Sequence, residues 1–373
     1  MRRGILSVLP RLLLYATLCL VSMLYGMVSY SLELPPFTFL LQRVDRQVPE
    51  SHTAPGSWDS QVSQELTLLT AEDADRQRRQ LIEFLWGVAE LPSALPVRVD
   101  REHVDDRFRE VPGLAAIDRL EVSMDYHLQS FVYHFRPQDP NNRVVVYHYG
   151  HGGGFEMDTR TIAAFLAQGY AVAALAMPLE GLNGQSAAMD DDKVVLINHA
   201  DFDRLVPRRG HPVRYFVEPV IVALNYLERE YGYSDIAMVG LSGGGWTTTV
   251  AAAIDTRIRS SFPVAGSSPV YLRRVKPQHR GDWEETVPAL YQRVSYLDMY
   301  VLGGYGTGRK QLQVLNQYDP CCFEGLGWQS YKDSVHARVR LLGDGSFDVF
   351  NDDSHREHKI SEAAIARILS ELN

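Results

Sequence analysis

Residues 235–246 read D-I-A-M-V-G-L-S-G-G-G-W, and this stretch restricts the fold more than any other. Residues 236–239 are an apolar run of strand length, 240–244 spell G-x-S-x-G, and 246–254 continue as an Ala-rich helical pattern. A strand that turns this sharply into a helix holds the serine backbone in a strained conformation and lifts its hydroxyl clear of the sheet. Gly240 and Gly244 are needed because side chains there would collide where strand and helix cross. The N–H of Gly243 then points to where an oxygen becomes negative during acyl transfer. The competing reading of the five residues alone is a glycine-rich turn cradling a phosphate at a helix N-terminus.

The rest of the chain sets the context for this turn. Leu120, Val122 and Met124, then Phe131, Tyr133 and Phe135, alternate as two antiparallel strands, with 137–142 as the next turn. Residues 143–149 and 170–177 are continuous apolar runs suited to strands buried on both faces. Further strands are expected over 258–265, 310–318 and 346–350. Helical spacing covers 161–168, 213–231, 331–342 and 361–372, the last capped by Ser361. Repeated β–α units predict an α/β fold, a mostly parallel twisted sheet with helices on both faces.

Before this domain, Thr70 with Glu72 and Asp73 marks a helix start, and the helix runs through Leu81, Ile82 and Leu85 to Gly87. Residues 12–32 carry no charge and follow Arg2, Arg3 and Arg11. That length matches the ~20 residues of a membrane-crossing helix, with its N-terminus inside and the rest exported. The expected organisation is an anchor over 1–34, a tether and docking helix over 35–114, and a catalytic domain over 115–373. An insertion over 269–305 carries Arg273, Arg274, Lys276, His279 and Arg280. It reads either as a wall facing an acidic substrate or as a solvated helix pair. The net charge of −9 excludes a polyanion as main partner, so no nucleic acid is expected. Of three cysteines, Cys321 and Cys322 are adjacent and read as two free thiols, because a ring closed between neighbours is strained.

A serine hydroxyl needs a base beside it and a carboxylate to hold that base. His358 lies after the last strand and just before the Ser361 cap; His355 in the same loop is the runner-up. Asp319 follows the 310–318 strand at the sheet edge where ligands collect. The glycine loop after 143–149, H-G-G-G at 151–154, offers a second N–H from Gly152 or Gly153. Together G-L-S-G-G at 240–244, H-G-G-G at 151–154, Y-D-P at 318–320 and H-K-I-S at 358–361 resemble the α/β-hydrolase superfamily over roughly 115–373. Within it the chain looks like a membrane-anchored bacterial esterase of the carbohydrate-esterase type. The resemblance implies an acyl-enzyme on Ser242, a small-molecule or carbohydrate ester as substrate, and no cofactor or metal. Rival readings are a peptidase or amidase with the same residues, a metal site from His148, His151, His355 and His358, and an anchored binding protein without chemistry.

Overall fold

Short runs of Val, Ile and Ala with no polar face form strands only in a sheet covered on both sides. The computed structural model describes residues 15, 17–26, 58–184, 186–189, 192–273 and 281–372. Its strands are β1 (Arg98–Asp100), β2 (Leu114–Ser123), β3 (Gln129–Pro137), β4 (Val144–His148), β5 (Ala171–Leu175), β6 (Ser186–Met189), β7 (Asp192–Val195), β8 (Ile236–Leu241), β9 (Ile258–Val264), β10 (Lys310–Asn316) and β11 (Ser346–Asp352). Nine of them form one sheet in the order β1-β2-β3-β5-β4-β8-β9-β10-β11, and β6 pairs with β7 alone. β1, β2 and β3 are antiparallel neighbours, and β3 meets β5 antiparallel. From β5 to β11 every pairing is parallel. The register aligns His148 with Gly240, Leu241 with Val264, and Asn316 with Asp352, so these strands end along one edge.

Among the described residues from 58 onward, the helices longer than four residues are α1 (Asp59–Glu65), α2 (Ala71–Trp86), α3 (Thr159–Leu166), α4 (Glu218–Tyr231), α5 (Gly243–Ile254), α6 (Tyr296–Gly304), α7 (Lys332–Leu342) and α8 (Glu362–Leu372). Two apolar cores result. One gathers Leu81, Leu85, Leu224, Trp246, Ala252 and Tyr296; the other gathers Ile162, Phe165, Ile365 and Ile368 with Val145 and Val239. α2 begins in the expected capping box, Asp73 N donating to Thr70 Oγ1 and Thr70 N to the Asp73 carboxylate, and ends at Gly87 with φ 71°. Such a cap contributes about 1 kcal/mol. Burial of Leu81 and Leu85 adds roughly 1.5–3 kcal/mol each. The described residues from 58 onward belong to one compact unit, so α2 shares its core with the sheet.

Two expectations are corrected here. The membrane helix over 12–32, and with it the bilayer as partner and the exported location, is not supported. Among the described residues no helix is long and apolar enough to cross a membrane. Helix is described there at residue 15 and over 17–26. The remainder of that segment lies outside the described residues. The second correction concerns the insertion, whose described part is not a solvated helix pair. Every residue of α6 is buried, and it packs on α5 and α7. Its apolar residues face protein on all sides, as a helix without a polar stripe must. Arg273 is buried too, its Nε donating to Ser268 O at 2.8 Å and its guanidinium 3.6 Å from Glu285. Arg274, Lys276, His279 and Arg280 lie outside the described residues.

Candidate active site at the sheet edge

Ser242 joins β8 to α5 with φ 56° and ψ −127°, a conformation that L-residues rarely adopt. The surrounding hydrogen bonds hold it there. Its N–H donates to Val264 O at 2.9 Å, and its carbonyl accepts from Trp246 N at 3.0 Å. A Cβ on Gly240 would lie 2.1 Å from Gly244 O, and one on Gly244 would lie 2.1 Å from His148 O. Both glycines are therefore fixed by backbone that cannot yield. A Cβ on Gly243 would meet side chains instead, 2.5 Å from the His151 ring and 2.7 Å from Met177 Cε.

Asp319 follows β10, and His358 follows β11, two and three strands along from Ser242 on the same edge. The two are joined: His358 Nδ1 donates to Asp319 Oδ2 at 2.8 Å. Asp319 is buried and accepts three further bonds, from Asn316 Nδ2 at 3.1 Å, Cys321 N at 2.8 Å and Cys322 N at 3.1 Å. Every neighbour of that carboxylate is a donor, which suits a charged group. Asn316 also donates to Lys359 O at 3.1 Å, tying the acid's strand to the histidine's loop. His358 Nε2 is buried and makes no hydrogen bond, so the Ser242 hydroxyl is not bonded to it in this structure. His355, the runner-up, faces a different carboxylate, its Nε2 3.4 Å from Asp352 Oδ2, while its Nδ1 accepts from Glu357 N at 3.1 Å.

The glycine loop lies against the serine turn, but its point of contact is Gly150. A Cβ there would lie 2.5 Å from Ser242 Cβ and 3.2 Å from Gly243 N. Gly152, with φ 80°, has nothing near its Cβ position, and Gly153 packs on Met157 Sδ. The residues chosen from sequence thus sit two and three positions beyond the contact. Asn316 had no signal in the sequence, since a strand-end Asn is commonplace. Cys321 and Cys322 are bonded to each other rather than free, which corrects the expectation of two thiols. The turn after Asp319 that aims both N–H groups at its carboxylate brings these neighbours together.

The four histidines of the rival metal reading do not converge. His148 Nδ1 donates to Tyr149 O at 2.9 Å, and burial pushes this imidazole down to about 4. His355 and His358 face separate carboxylates. Among the described residues, the histidine-containing groups that do converge are His358 with Cys321 and Cys322, and His151 with His199 and Glu284.

The sheet order, with the Ser242 turn after β8, Asp319 after β10 and His358 after β11, is the α/β-hydrolase fold. Known structures agree. Over 84% of this chain and 98% of theirs, it resembles acetyl xylan esterase 1 from Thermoanaerobacterium sp. JW/SL YS485, at TM-score 0.56 and 12% identity. A putative acetyl xylan esterase from Bacteroides fragilis NCTC 9343 matches 76% of each chain at TM-score 0.54 and 15% identity. A methylesterase matches at TM-score 0.58 and 14% identity, over 84% of this chain and 66% of its own. No protein-family model matches the sequence, and no curated protein is detectably similar to it.

Proposed function

We propose that the chain is a serine hydrolase of carboxylic esters, working through an acyl-enzyme with no cofactor in the bond-breaking step. The bond between His358 and Asp319 carries the reading: it leaves Nε2 as the ring's free basic nitrogen. Ser242 Oγ attacks the acyl carbon while His358 Nε2 takes its proton. The tetrahedral oxyanion is met by Gly243 N–H and by an N–H of the 150–153 loop, with Gly152 or Gly153 as the sequence-based choice. Collapse breaks the ester C–O bond, and His358 returns the proton to the leaving alcohol. Water then repeats the two steps, releasing acid and free Ser242.

Asp319 holds the Nδ1–H tautomer and stabilises the imidazolium formed in each half-reaction. Small acyl groups on carbohydrates are the proposed substrate class, supported by the acetyl xylan esterase and methylesterase names among proteins of this fold. The catalytic domain is proposed to span 115–373, with α2 as a docked element of the same core. The test is turnover of acetylated xylo-oligosaccharides and of p-nitrophenyl acetate by the full chain and by Ser242→Ala. Hydrolysis by the wild type that falls at least about 10³-fold in the variant is expected. Comparable rates in both would refute it.

A further inference from the structure

Beside the serine turn, outside the proposed triad, three side chains from distant parts of the chain meet in the interior. His151 follows β4, His199 opens the 3-10 turn His199–Arg204, and Glu284 lies in the short helix Trp283–Thr286. Glu284 is wholly buried, and His199 nearly so. His151 Nε2 lies 3.0 Å from Glu284 Oε1, His199 Nδ1 lies 3.0 Å from Glu284 Oε2, and the two ring nitrogens are 3.2 Å apart.

The ring nitrogens have distinct partners. His199 Nε2 lies 2.8 Å from Pro178 O, which can only accept, so Nε2 carries the hydrogen. Its Nδ1 faces the Glu284 carboxylate at 3.0 Å. His151 Nδ1 lies 3.4 Å from Asp282 Oδ2, and its Nε2 faces the same place. Glu284 Oε1 has no hydrogen bond although it is buried. Two ring nitrogens and a buried carboxylate thus converge on one point.

We propose that His151, His199 and Glu284 bind a divalent cation of the zinc class. Ligands about 2.0–2.1 Å from such an ion are roughly 2.9–3.4 Å from each other, the spacing found here. Each imidazole hands its outer N–H to an oxygen, as metal-bound histidines do. Two imidazoles and a carboxylate suit a borderline ion and leave a fourth position for water. Two neutral rings, Glu284, Asp282 and a divalent ion sum to zero charge. The ion would pin the first residue of the glycine loop, whose ring packs on Gly243, to two other segments. His151 is in this sense a positioning residue for the serine turn.

The test uses the full chain stripped with a chelator, then titrated with Zn²⁺ against a competing chromophoric chelator and with Co²⁺ by visible absorption. One equivalent per chain is expected, and X-ray absorption of the zinc form should show imidazole nitrogen and oxygen but no sulfur. Glu284→Gln and His199→Ala should each weaken zinc binding by at least the roughly 10–100-fold that losing an outer-shell partner costs, while a Cys321→Ser/Cys322→Ser double variant binds as the wild type does. No stoichiometric binding of either ion by the wild type overturns the proposal. So does sulfur ligation, or unchanged affinity in both variants. If either variant fails to fold, as near-ultraviolet circular dichroism would reveal, the wild-type absorption spectra still decide.

Discussion

Replacing Asp319 by Asn keeps the shape of the side chain and exposes the role of its charge. All four neighbours of the carboxylate donate: His358 Nδ1, Asn316 Nδ2, Cys321 N and Cys322 N. An amide has one accepting oxygen, so its NH₂ must face a donor. The two backbone N–H groups cannot turn away, and the oxygen is therefore expected to stay with them. That places the NH₂ against His358 Nδ1, which must then accept, and the ring's hydrogen moves to Nε2. A protonated Nε2 cannot take the Ser242 proton. The imidazolium also loses a counter-charge; at about 4 Å and an effective dielectric of about 20 this interaction is worth about 4 kcal/mol. Four kcal/mol corresponds to roughly 10³ in rate. The expected result is a fall in kcat of about 10³–10⁴ on p-nitrophenyl acetate with KM little changed. A loss smaller than tenfold, in a variant with wild-type near-ultraviolet circular dichroism, would refute the reasoning.

Two further outcomes follow from the same geometry. His358→Ala should lower kcat at least about 10²-fold, whereas His355→Ala, whose ring faces Asp352, should stay within roughly threefold; steady-state kinetics of the pair checks this, and the reverse order would move the base to His355. His148 is held at about 4 by burial, below the 6.5 of an exposed imidazole. The unfolded chain therefore binds a proton that the folded chain refuses, and stability is full above about 6.5 and falls as pH drops towards about 4. Between pH 7 and pH 5 the loss from this group is about 2 kcal/mol. Urea unfolding at both values should show a drop that His148→Gln lacks, and equal drops in both proteins would contradict it.

The serine turn was legible because every residue that shapes it is local: a buried strand, two glycines that the crossing demands and an apolar helix within 20 positions. Asp319 and His358 could be chosen because strand order fixes which loops share an edge, and the two side chains do meet. Other features had no local signature. His199 and Glu284 are 85 positions apart and face each other only through the packing of short turns. Arg273 read as a surface cation because its partner Glu285 cannot be paired with it from spacing alone. The uncharged N-terminal run had the length of a membrane span, but charge-free sequence does not set helix length. The glycine loop gave its neighbourhood but not its register, since several consecutive glycines leave no side chain to mark which one touches the serine.

The central claim is that Ser242 is the nucleophile, and a fluorophosphonate tests it without assuming any substrate. The account predicts one phosphonyl group per chain, mapped by peptide mass spectrometry to Ser242, and no adduct on Ser242→Ala. A well-folded wild-type chain that stays unlabelled, or an adduct mapped to another residue, would contradict it.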